Sequence, residues 1–262
     1  MTKRISVLMT CHNRKEKTLR CLRSIDAGVD IFLVDDGSTD GTSAAVMAEF
    51  PHVKIIKGSG SLYWARGMRL AWDEAEKRSE YDFYLWLNDD VALKKGAIEA
   101  AVEDWRSIGR EDAVVVGACE YEGVCTYGAT DAADQKIVPN GSPQLAGGWL
   151  NGNFVLVSNK AYEKVGKISG DYTHARADYD YAERLKRAGV PFYVTSKYVG
   201  TCPCDFESKV RGKGLMERIS WLWRPGYFNL HDLWLIRSRY HGRVRAIVSC
   251  LHLIQIVLKG WK

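Results

Sequence analysis

The sequence predicts an α/β protein built on a mostly parallel sheet, and three observations favour this class. Short apolar runs alternate with segments of helical periodicity through residues 5–118. The connections between successive runs are long enough for right-handed crossovers. The length of 262 residues, with 46% hydrophobic and 26% charged residues, suits one large α/β domain, alone or with a C-terminal appendage. We therefore expect an open sheet covered by helices on both faces.

Nine elements are predicted in the first half of the chain. Each strand is a short apolar run, and each helix carries apolar residues three or four positions apart. The polar turn DDGSTDGT precedes the second helix and contains residue types that cap helices. The predicted strands are 5–9, 31–34, 53–56, 82–87 and 113–118, and the predicted helices are 15–25, 43–50, 63–78 and 94–108.

The alternation changes after residue 119. A segment rich in Gly, Ala, Asp and Thr, with short β-type pieces, covers residues 120–148. Later elements are strands at 153–158 and 190–195, helices at 160–166 and 179–189, and two or three helices over 214–258. We expect a domain of residues 1–205, divided into halves 1–118 and 119–205, and an extension of residues 206–262.

The cysteines and the hydropathy of the sequence indicate the cellular compartment in which the protein is expected. The seven cysteines are odd in number and scattered, which argues against a disulfide framework and favours a reducing compartment. Cys202 and Cys204 have no second cysteine pair nearby, so zinc is not expected there. The first apolar run is too short for a signal peptide, and no stretch approaches the roughly 20 apolar residues that cross a bilayer. We expect a cytoplasmic protein, with peripheral attachment to the inner face of the cell membrane left open.

Polar clusters directly follow three of the predicted strands. These clusters are TCHNR at 10–14, DDGSTD at 35–40 and NDD at 88–90. Ligands of open parallel sheets bind at the carboxyl ends of the strands, so the clusters are expected to meet at one edge. Any one of them is compatible with an ordinary polar turn, but the coincidence of all three favours a site. The adjacent acids repel each other, which suits a place that holds a cation.

Four segments, in this order, resemble the family 2 glycosyltransferases with the GT-A fold: VLMTCHNR, FLVDDGSTDGT, LWLNDD and ADYDYAERLKRAG. The similarity runs from residue 5 to residue 204. The resemblance implies a nucleotide-sugar-binding half and an acceptor-side half. The C-terminal basic helical extension lies beyond the similarity and is expected from composition and helical periodicity. It also implies an inverting, metal-dependent transfer of a sugar to a glycan or lipid-linked glycan in surface polysaccharide synthesis, with a UDP- or dTDP-sugar favoured as donor.

The resemblance assigns the donor site to the first half. Thr10, His12 and Asp36 would bind the base, with His12 standing where the family usually has tyrosine. Asp90 would coordinate Mg²⁺ or Mn²⁺ between the two phosphates, since hard oxygen ligands suit these ions. Asp36 could instead belong to an Asx turn or a helix cap. The full nucleotide-sugar set is Thr10, Cys11, His12, Arg14, Asp36, Arg66 near the diphosphate, Asn88 where the family often has aspartate, and Asp89 on the sugar or ribose.

The resemblance assigns the catalytic base to Asp178, with Ala177 in place of the family's glutamate. Asp178 would take a proton from an acceptor hydroxyl as that oxygen attacks the anomeric carbon. From the residues alone, a helix N-cap is the favoured interpretation of Asp178. Asp180 is expected on another face of the helix. The expected acceptor or sugar contacts are Trp149, Asn151, Gly152 and His174.

The C-terminal region combines basic and apolar residues. Ile247, Leu251, Ile254 and Leu258 fall on one helical face, with mostly polar residues opposite. The basic and aromatic content of residues 214–262 suits an anionic membrane surface. The same stripe is equally typical of a helix packed on the catalytic domain or on a second subunit, so a homodimer also stays open.

Two other function classes were weighed against glycosyl transfer. A nucleotidyltransferase would want a glycine-rich phosphate loop after the first strand, and TCHNRKEK contains no glycine. A non-catalytic sugar-nucleotide-binding protein would not need the acids at positions 90 and 178. Nucleic acid is not the expected partner, because the apolar face of the basic tail suits lipid or protein better.

Overall fold

The computed structural model of the chain describes residues 3–204, 214–225 and 229–259. Within these residues, ten strands form one sheet and nine helices accompany it. The strands are β1 Ile5–Cys11, β2 Asp30–Asp35, β3 Lys54–Lys57, β4 Phe83–Leu87, β5 Ala92–Leu93, β6 Val114–Tyr121, β7 Val124–Tyr127, β8 Gln144–Ala146, β9 Phe154–Ser158 and β10 Phe192–Thr201. The helices are α1 Lys15–Arg23, α2 Thr42–Glu49, α3 Tyr63–Arg78, α4 Ala97–Ile108, α5 Asn159–Val165, α6 Ala177–Arg187, α7 Leu215–Ser220, α8 Leu230–His241 and α9 Arg243–Lys259.

The sheet is mostly parallel at its N-terminal side and mixed beyond it. The strand order is β3-β2-β1-β4-β9-β6-β10-β5, with β7 beside β6 and β8 beside β10. Strand β9 lies antiparallel between β4 and β6. The parallel series of the first strands is therefore interrupted by β9 between β4 and β6. An apolar run specifies a buried strand but not its partner, so the insertion of β9 has no signal in the sequence. The predicted α/β class, with a mostly parallel sheet flanked by helices, is confirmed.

Two hydrophobic cores cover the two faces of the sheet, and β4 contributes to both. Phe83, Leu85 and Leu87 belong to one core. Tyr84 and Trp86 belong to the other. Because successive side chains of a strand point to opposite faces, a strand covered on both sides has no polar position, which accounts for the unbroken run FYLWL.

The C-terminal helices pack directly on the domain. Ile236 of α8 is part of one core of the sheet. The fully buried carboxylate of Asp180 in α6 accepts hydrogen bonds from Arg239 at 2.8 Å and from the Tyr240 hydroxyl at 2.7 Å. Asp180 also accepts from Arg184 at 2.9 Å, so its charge is compensated within this network. The expectation that Asp180 points away from the face of Asp178 agrees with this arrangement.

Some element boundaries differ from the predictions. Helix α6 begins at Ala177 rather than at residue 179, and Arg176 is its N-cap residue. Strand β10 continues to Thr201, while β5 and β8 are too short to leave a period in the sequence. The parts of the predicted extension at 206–213, 226–228 and 260–262 lie outside the described residues. In the described part of the chain, no helix combines the length and apolarity needed to span a bilayer.

Candidate active site

A cavity of about 760 Å³ opens where β1, β2 and β4 end, and the three polar clusters meet there. Parallel strands end at the same edge of a sheet, which is the physical reason that these distant segments converge. Segments 151–153 and 174–179 complete the wall from the other half of the chain. The predicted residues that line the cavity are Thr10, Cys11, His12, Arg14, Asp36, Asn88, Asp89, Asp90, Asn151, Gly152, His174 and Asp178.

Asp36 fixes the wall of the cavity beyond β2. Its carboxylate accepts hydrogen bonds from the backbone N–H groups of Gly60 at 2.7 Å and Tyr63 at 2.9 Å. Its carbonyl oxygen lies 2.7 Å from Nδ1 of His12. A carbonyl can only accept, so Nδ1 carries the proton of this imidazole. The contacts orient the His12 ring and also give Asp36 the structural role that the sequence left open.

The paired acids at the end of β4 share one arginine. A guanidinium nitrogen of Arg14 lies 3.0 Å from Asp89, and the other terminal nitrogen contacts Asp90. Asp89 is buried, and this burial raises the pKa of its carboxyl to about 7 despite the opposing effect of Arg14. Asp90 is the more accessible of the two, with 20% of its side chain exposed. The repulsion between the acids is thus relieved by a cation from the first polar cluster.

Asn88 joins two parts of the wall through its amide. Its Oδ1 accepts the indole N–H of Trp64 at 2.7 Å. Its Nδ2 donates to Oδ1 of Asn153 at 2.9 Å. A carboxylate cannot donate, so an aspartate at this position would lose the second bond unless the Asn153 amide turned over. These two hydrogen bonds therefore explain why an amide suits position 88, where the family often has aspartate.

Asp178 reaches the cavity from the first turn of α6. Its carboxylate accepts hydrogen bonds from the N–H groups of Tyr179 at 2.9 Å and Gly152 at 3.3 Å. Desolvation raises the pKa of this carboxyl to about 6, although the two N–H groups act in the opposite direction. Because α6 is capped by Arg176, Asp178 is not the N-cap residue. A carboxylate with this pKa is mostly ionised at neutral pH and can still accept a proton.

Two predicted residues lie elsewhere. Arg66 is exposed on α3, where its Nε donates to the carbonyl of Gly170 at 3.3 Å. Trp149 is not part of the lining, and its ring packs on Tyr179 with a centroid distance of 5.1 Å. The sequence places Arg66 on a helix, but it does not determine which side of α3 faces the cavity. Trp149 instead supports an aromatic residue that does line the cavity.

The structure adds lining residues that the sequence did not single out. Trp64, Arg176 and Tyr179 all line the cavity. Each lies within one to three residues of a predicted position, and that proximity was the only available signal. Outside the lining, buried Asp232 of α8 accepts from the Thr173 hydroxyl at 2.8 Å and from the N–H of His174 at 3.3 Å. The C-terminal helices therefore hold the segment that leads to Asp178.

The cavity was tested for a divalent cation site. No group of three histidine, cysteine or acidic side chains converges in a ligand geometry among the described residues. Asp90 offers one accessible carboxylate beside buried Asp89, and the thiol of Cys202 lies 3.7 Å from an Asp90 oxygen. A Mg²⁺ ion usually takes one or two carboxylates together with phosphate oxygens and water. Asp90 therefore fits an ion whose other ligands come from a bound diphosphate.

Comparisons with known proteins place this geometry in context. The family model described as "Glycosyl transferase family 2" matches residues 6–166. Two curated relatives, from two strains of Mycobacterium tuberculosis, are named N-acetylglucosaminyl-diphospho-decaprenol L-rhamnosyltransferase. Each is 25% identical over an alignment of 205 residues, and the match covers 65% of this chain and 66% of the relative. The chain thus spans slightly less than two thirds of their length.

A solved structure supports the fold alone. The crystal structure of TarS residues 1–349 from S. aureus matches with a TM-score of 0.56 and 15% identity. The match covers 97% of this chain and 81% of that one. The GT-A fold predicted from the sequence motifs is confirmed.

Gly152→Ala is expected to disturb the wall of the cavity. A Cβ at this position would lie 2.4 and 2.5 Å from two carbon atoms of the Trp64 indole ring. Moving Trp64 would strain its hydrogen bond to Asn88, and we expect the free energy of unfolding to fall by about 1–3 kcal/mol. Urea denaturation measures this change.

The matched control is Gly170→Ala, whose Cβ would meet only Arg69 Cγ at 3.9 Å. Equal stability of the two variants would contradict the close approach of Gly152 to Trp64.

Proposed function

Because this chain belongs to the family 2 glycosyltransferases, we propose that it transfers a sugar, with inversion, from a nucleotide-sugar to a hydroxyl group of a glycan acceptor. The observation that carries the proposal is that acidic residues line the cavity from two different elements. Asp89 and Asp90 follow β4, and Asp178 lies in α6. One group suits the donor diphosphate and the other suits proton transfer from the acceptor.

Asp178 is proposed as the base of a single displacement. The acceptor oxygen attacks the anomeric carbon while its proton passes to the Asp178 carboxylate. The bond between the sugar and the diphosphate breaks, and its electron pair leaves with the nucleoside diphosphate. Attack from the face opposite the leaving group inverts the anomeric configuration. The N–H groups of Gly152 and Tyr179 hold the carboxylate in place for this step.

The donor side needs positive charge for the departing diphosphate. Arg14 supplies part of it from the end of β1, where it already contacts both acids. We assign Asp90 as the ligand of a Mg²⁺ or Mn²⁺ ion that, when bound, neutralises charge on the phosphates. The orientation of His12 by Asp36 supports a base-binding role at the β1 and β2 ends of the cavity. A UDP- or dTDP-sugar is the proposed donor.

A lipid-linked glycan is the proposed acceptor, in the synthesis of a surface polysaccharide. The Mycobacterium tuberculosis relatives are named as L-rhamnosyltransferases of N-acetylglucosaminyl-diphospho-decaprenol, a sugar carried on a lipid diphosphate. An acceptor of this kind lies at a membrane surface. A transferase that acts on such an acceptor gains from a surface that docks on lipid.

Helix α9 offers such a surface. Its buried stripe contains Ala246, Leu253 and Val257, which face the other C-terminal helices or the domain. A second apolar stripe points outward, and α9 contains Arg243, Arg245 and Lys259 but no acidic residue. The exposed stripe, which we call the outer face of α9, consists of Val244 (75% exposed), Ile247 (49%), Val248 (61%), Leu251 (61%) and Leu258 (51%).

An anionic membrane is the proposed partner of the outer face of α9. Basic and apolar residues on one exposed helix combine electrostatic attraction with burial of apolar area in the interface. The alternative of packing this stripe on the catalytic domain is not supported, because a different stripe of α9 is buried. Peripheral attachment to the inner face of the cell membrane follows from this proposal, and a homodimer through the same face is the competing outcome.

Asp178→Asn is expected to lower kcat by about 10²–10⁴-fold, since the acceptor proton loses its base. In the unchanged enzyme, activity should fall about tenfold per pH unit below pH 6, because the pKa of this carboxyl is about 6 and the protonated form is inactive. The measurement is turnover of nucleotide-sugars from pH 5 to pH 8, together with thermal stabilisation by the nucleoside diphosphate.

The control for Asp178 is Asp171→Asn, at a carboxylate with 59% of its side chain exposed. A variant at Asp178 that keeps full turnover would point to a different base. Binding of the donor without turnover in the unchanged protein would favour a non-catalytic binding protein.

Removal of divalent ions with EDTA is expected to abolish turnover, and Mg²⁺ or Mn²⁺ should restore it. Asp90→Asn should raise the ion concentration needed for half-maximal activity, because the proposed protein ligand is lost. The measurement is initial rate against ion concentration, with Asp171→Asn as control. Undiminished turnover in EDTA would contradict a role for a metal ion, and Arg14 would then be the group that neutralises charge on the departing diphosphate.

Ile247→Glu combined with Leu251→Glu is expected to reduce sedimentation with vesicles by at least roughly tenfold, because two charges replace apolar area at the interface. Vesicles of phosphatidylcholine with phosphatidylglycerol are compared with phosphatidylcholine alone. The control is Met47→Glu, an exposed apolar residue of α2. The competing outcome has two parts: the unchanged protein does not bind vesicles, and light scattering shows a dimer that the double variant dissociates. That outcome would assign the face to a second subunit.

A further inference from the structure

Arg176 lies in the cavity wall as a cation without a partner at short range. It immediately precedes α6 and stands two residues from Asp178. Its guanidinium forms neither a hydrogen bond nor an ion pair with any residue that the structure describes. Burial lowers the pKa of this guanidinium, because the charged form has lost part of its hydration. The side chain is partly buried, and a charge withdrawn from water in this way is normally paired.

The backbone at Arg176 is also strained. Its φ angle of +71° is in the left-handed region, which glycine adopts without strain and a longer residue does not. As the N-cap residue of α6, Arg176 makes no side-chain hydrogen bond to the helix. A cation there faces the positive end of the helix dipole. The fold therefore gains no visible local benefit from an arginine at this position, and strain of this kind is concentrated at functional sites.

The surrounding acids do not satisfy the guanidinium. After burial, the groups whose charges act on the pKa of Arg176 are, in decreasing order, the Tyr179 phenol, a second cation at Arg237 of α8, Asp232 and Asp178. Asp178 accepts from two backbone N–H groups, and Asp232 accepts from the loop before α6. Arg237 is exposed and has no ion pair within the described part of the chain. An anion with more than one charge would stabilise both arginines.

We propose that Arg176, assisted by Arg237, binds a phosphate group of a substrate diphosphate on the Asp178 side of the cavity. The planar fork of a guanidinium matches two phosphate oxygens. The identity of the diphosphate rests on the proposed function, in which both the nucleotide-sugar and the lipid-linked acceptor carry one. Arg176 also lies on the side of the C-terminal helices, near enough for its charge to oppose the rise that burial causes in the pKa of the Cys250 thiol of α9. A phosphate attached to a lipid would enter from that direction.

The test is binding, measured by isothermal titration calorimetry at low salt with no metal added. The probes are farnesyl diphosphate for the acceptor, with farnesol as its uncharged control, and UDP and dTDP for the donor. The variants are Arg176→Gly, Arg176→Lys and Arg237→Ala. The matched control is Arg78→Ala, at an exposed arginine of α3. Arg176→Gly removes the cation and suits the left-handed backbone, so its midpoint of thermal unfolding should be no lower than that of the unchanged protein.

Arg176→Gly is expected to weaken diphosphate binding about tenfold or more, the loss typical of a charge-assisted hydrogen bond. Arg176→Lys should lose less, and Arg78→Ala nothing. A loss confined to farnesyl diphosphate assigns the subsite to the acceptor, and one confined to UDP and dTDP assigns it to the donor. An equal loss for all of these diphosphates supports a subsite open to either substrate.

The inference is overturned if Arg176→Gly binds every diphosphate as the unchanged protein does, or if the unchanged protein binds none of them. The experiment needs no turnover. A failure to transfer any sugar would therefore count against the proposed function, while binding that depends on Arg176 would still support the phosphate subsite.

Discussion

The repulsion between Asp89 and Asp90 is the constraint on which the arrangement of the cavity depends. Strand β4 is buried on both faces, so its end delivers both acids to the edge of the sheet, one buried and one accessible. Their charge requires a cation, and Arg14 reaches both because β1 lies beside β4 in parallel register. The same need for positive charge makes this edge a suitable place for a diphosphate and a divalent ion.

Burial gives the two sides of the cavity different protonation chemistry. Desolvation raises the pKa of both Asp89 and Asp178. Asp89 has a guanidinium at 3.0 Å, whereas the close partners of the Asp178 carboxylate among the described residues are two backbone N–H groups. Asp178 can therefore exchange a proton without breaking an ion pair. That difference, rather than the residue type, distinguishes a carboxylate suited to charge balance from one suited to act as a base.

The C-terminal helices contribute to the site although they lie far from it in the sequence. Asp232 of α8 binds the backbone before α6, and Asp180 within α6 binds Arg239 of α8. These contacts fix the segment that carries Arg176 and Asp178. The outer face of α9 belongs to the same group of helices. A surface suited to lipid and a wall suited to phosphate are thus parts of one packed unit, which links the proposed docking to the proposed chemistry.

The sequence alone determined the α/β class, most helix and strand positions and the meeting of three polar clusters, because hydrophobic periodicity and strand ends are local properties. Helix α3 was predicted with its observed limits, Tyr63–Arg78. Only the tertiary structure decided that β9 lies between β4 and β6, that Arg66 faces away from the cavity, and that Arg176 stands in it with no ion pair to any described residue. The pairing partner of a strand, the orientation of a side chain and its desolvation depend on residues that are distant in the chain. A local sequence pattern therefore cannot predict them.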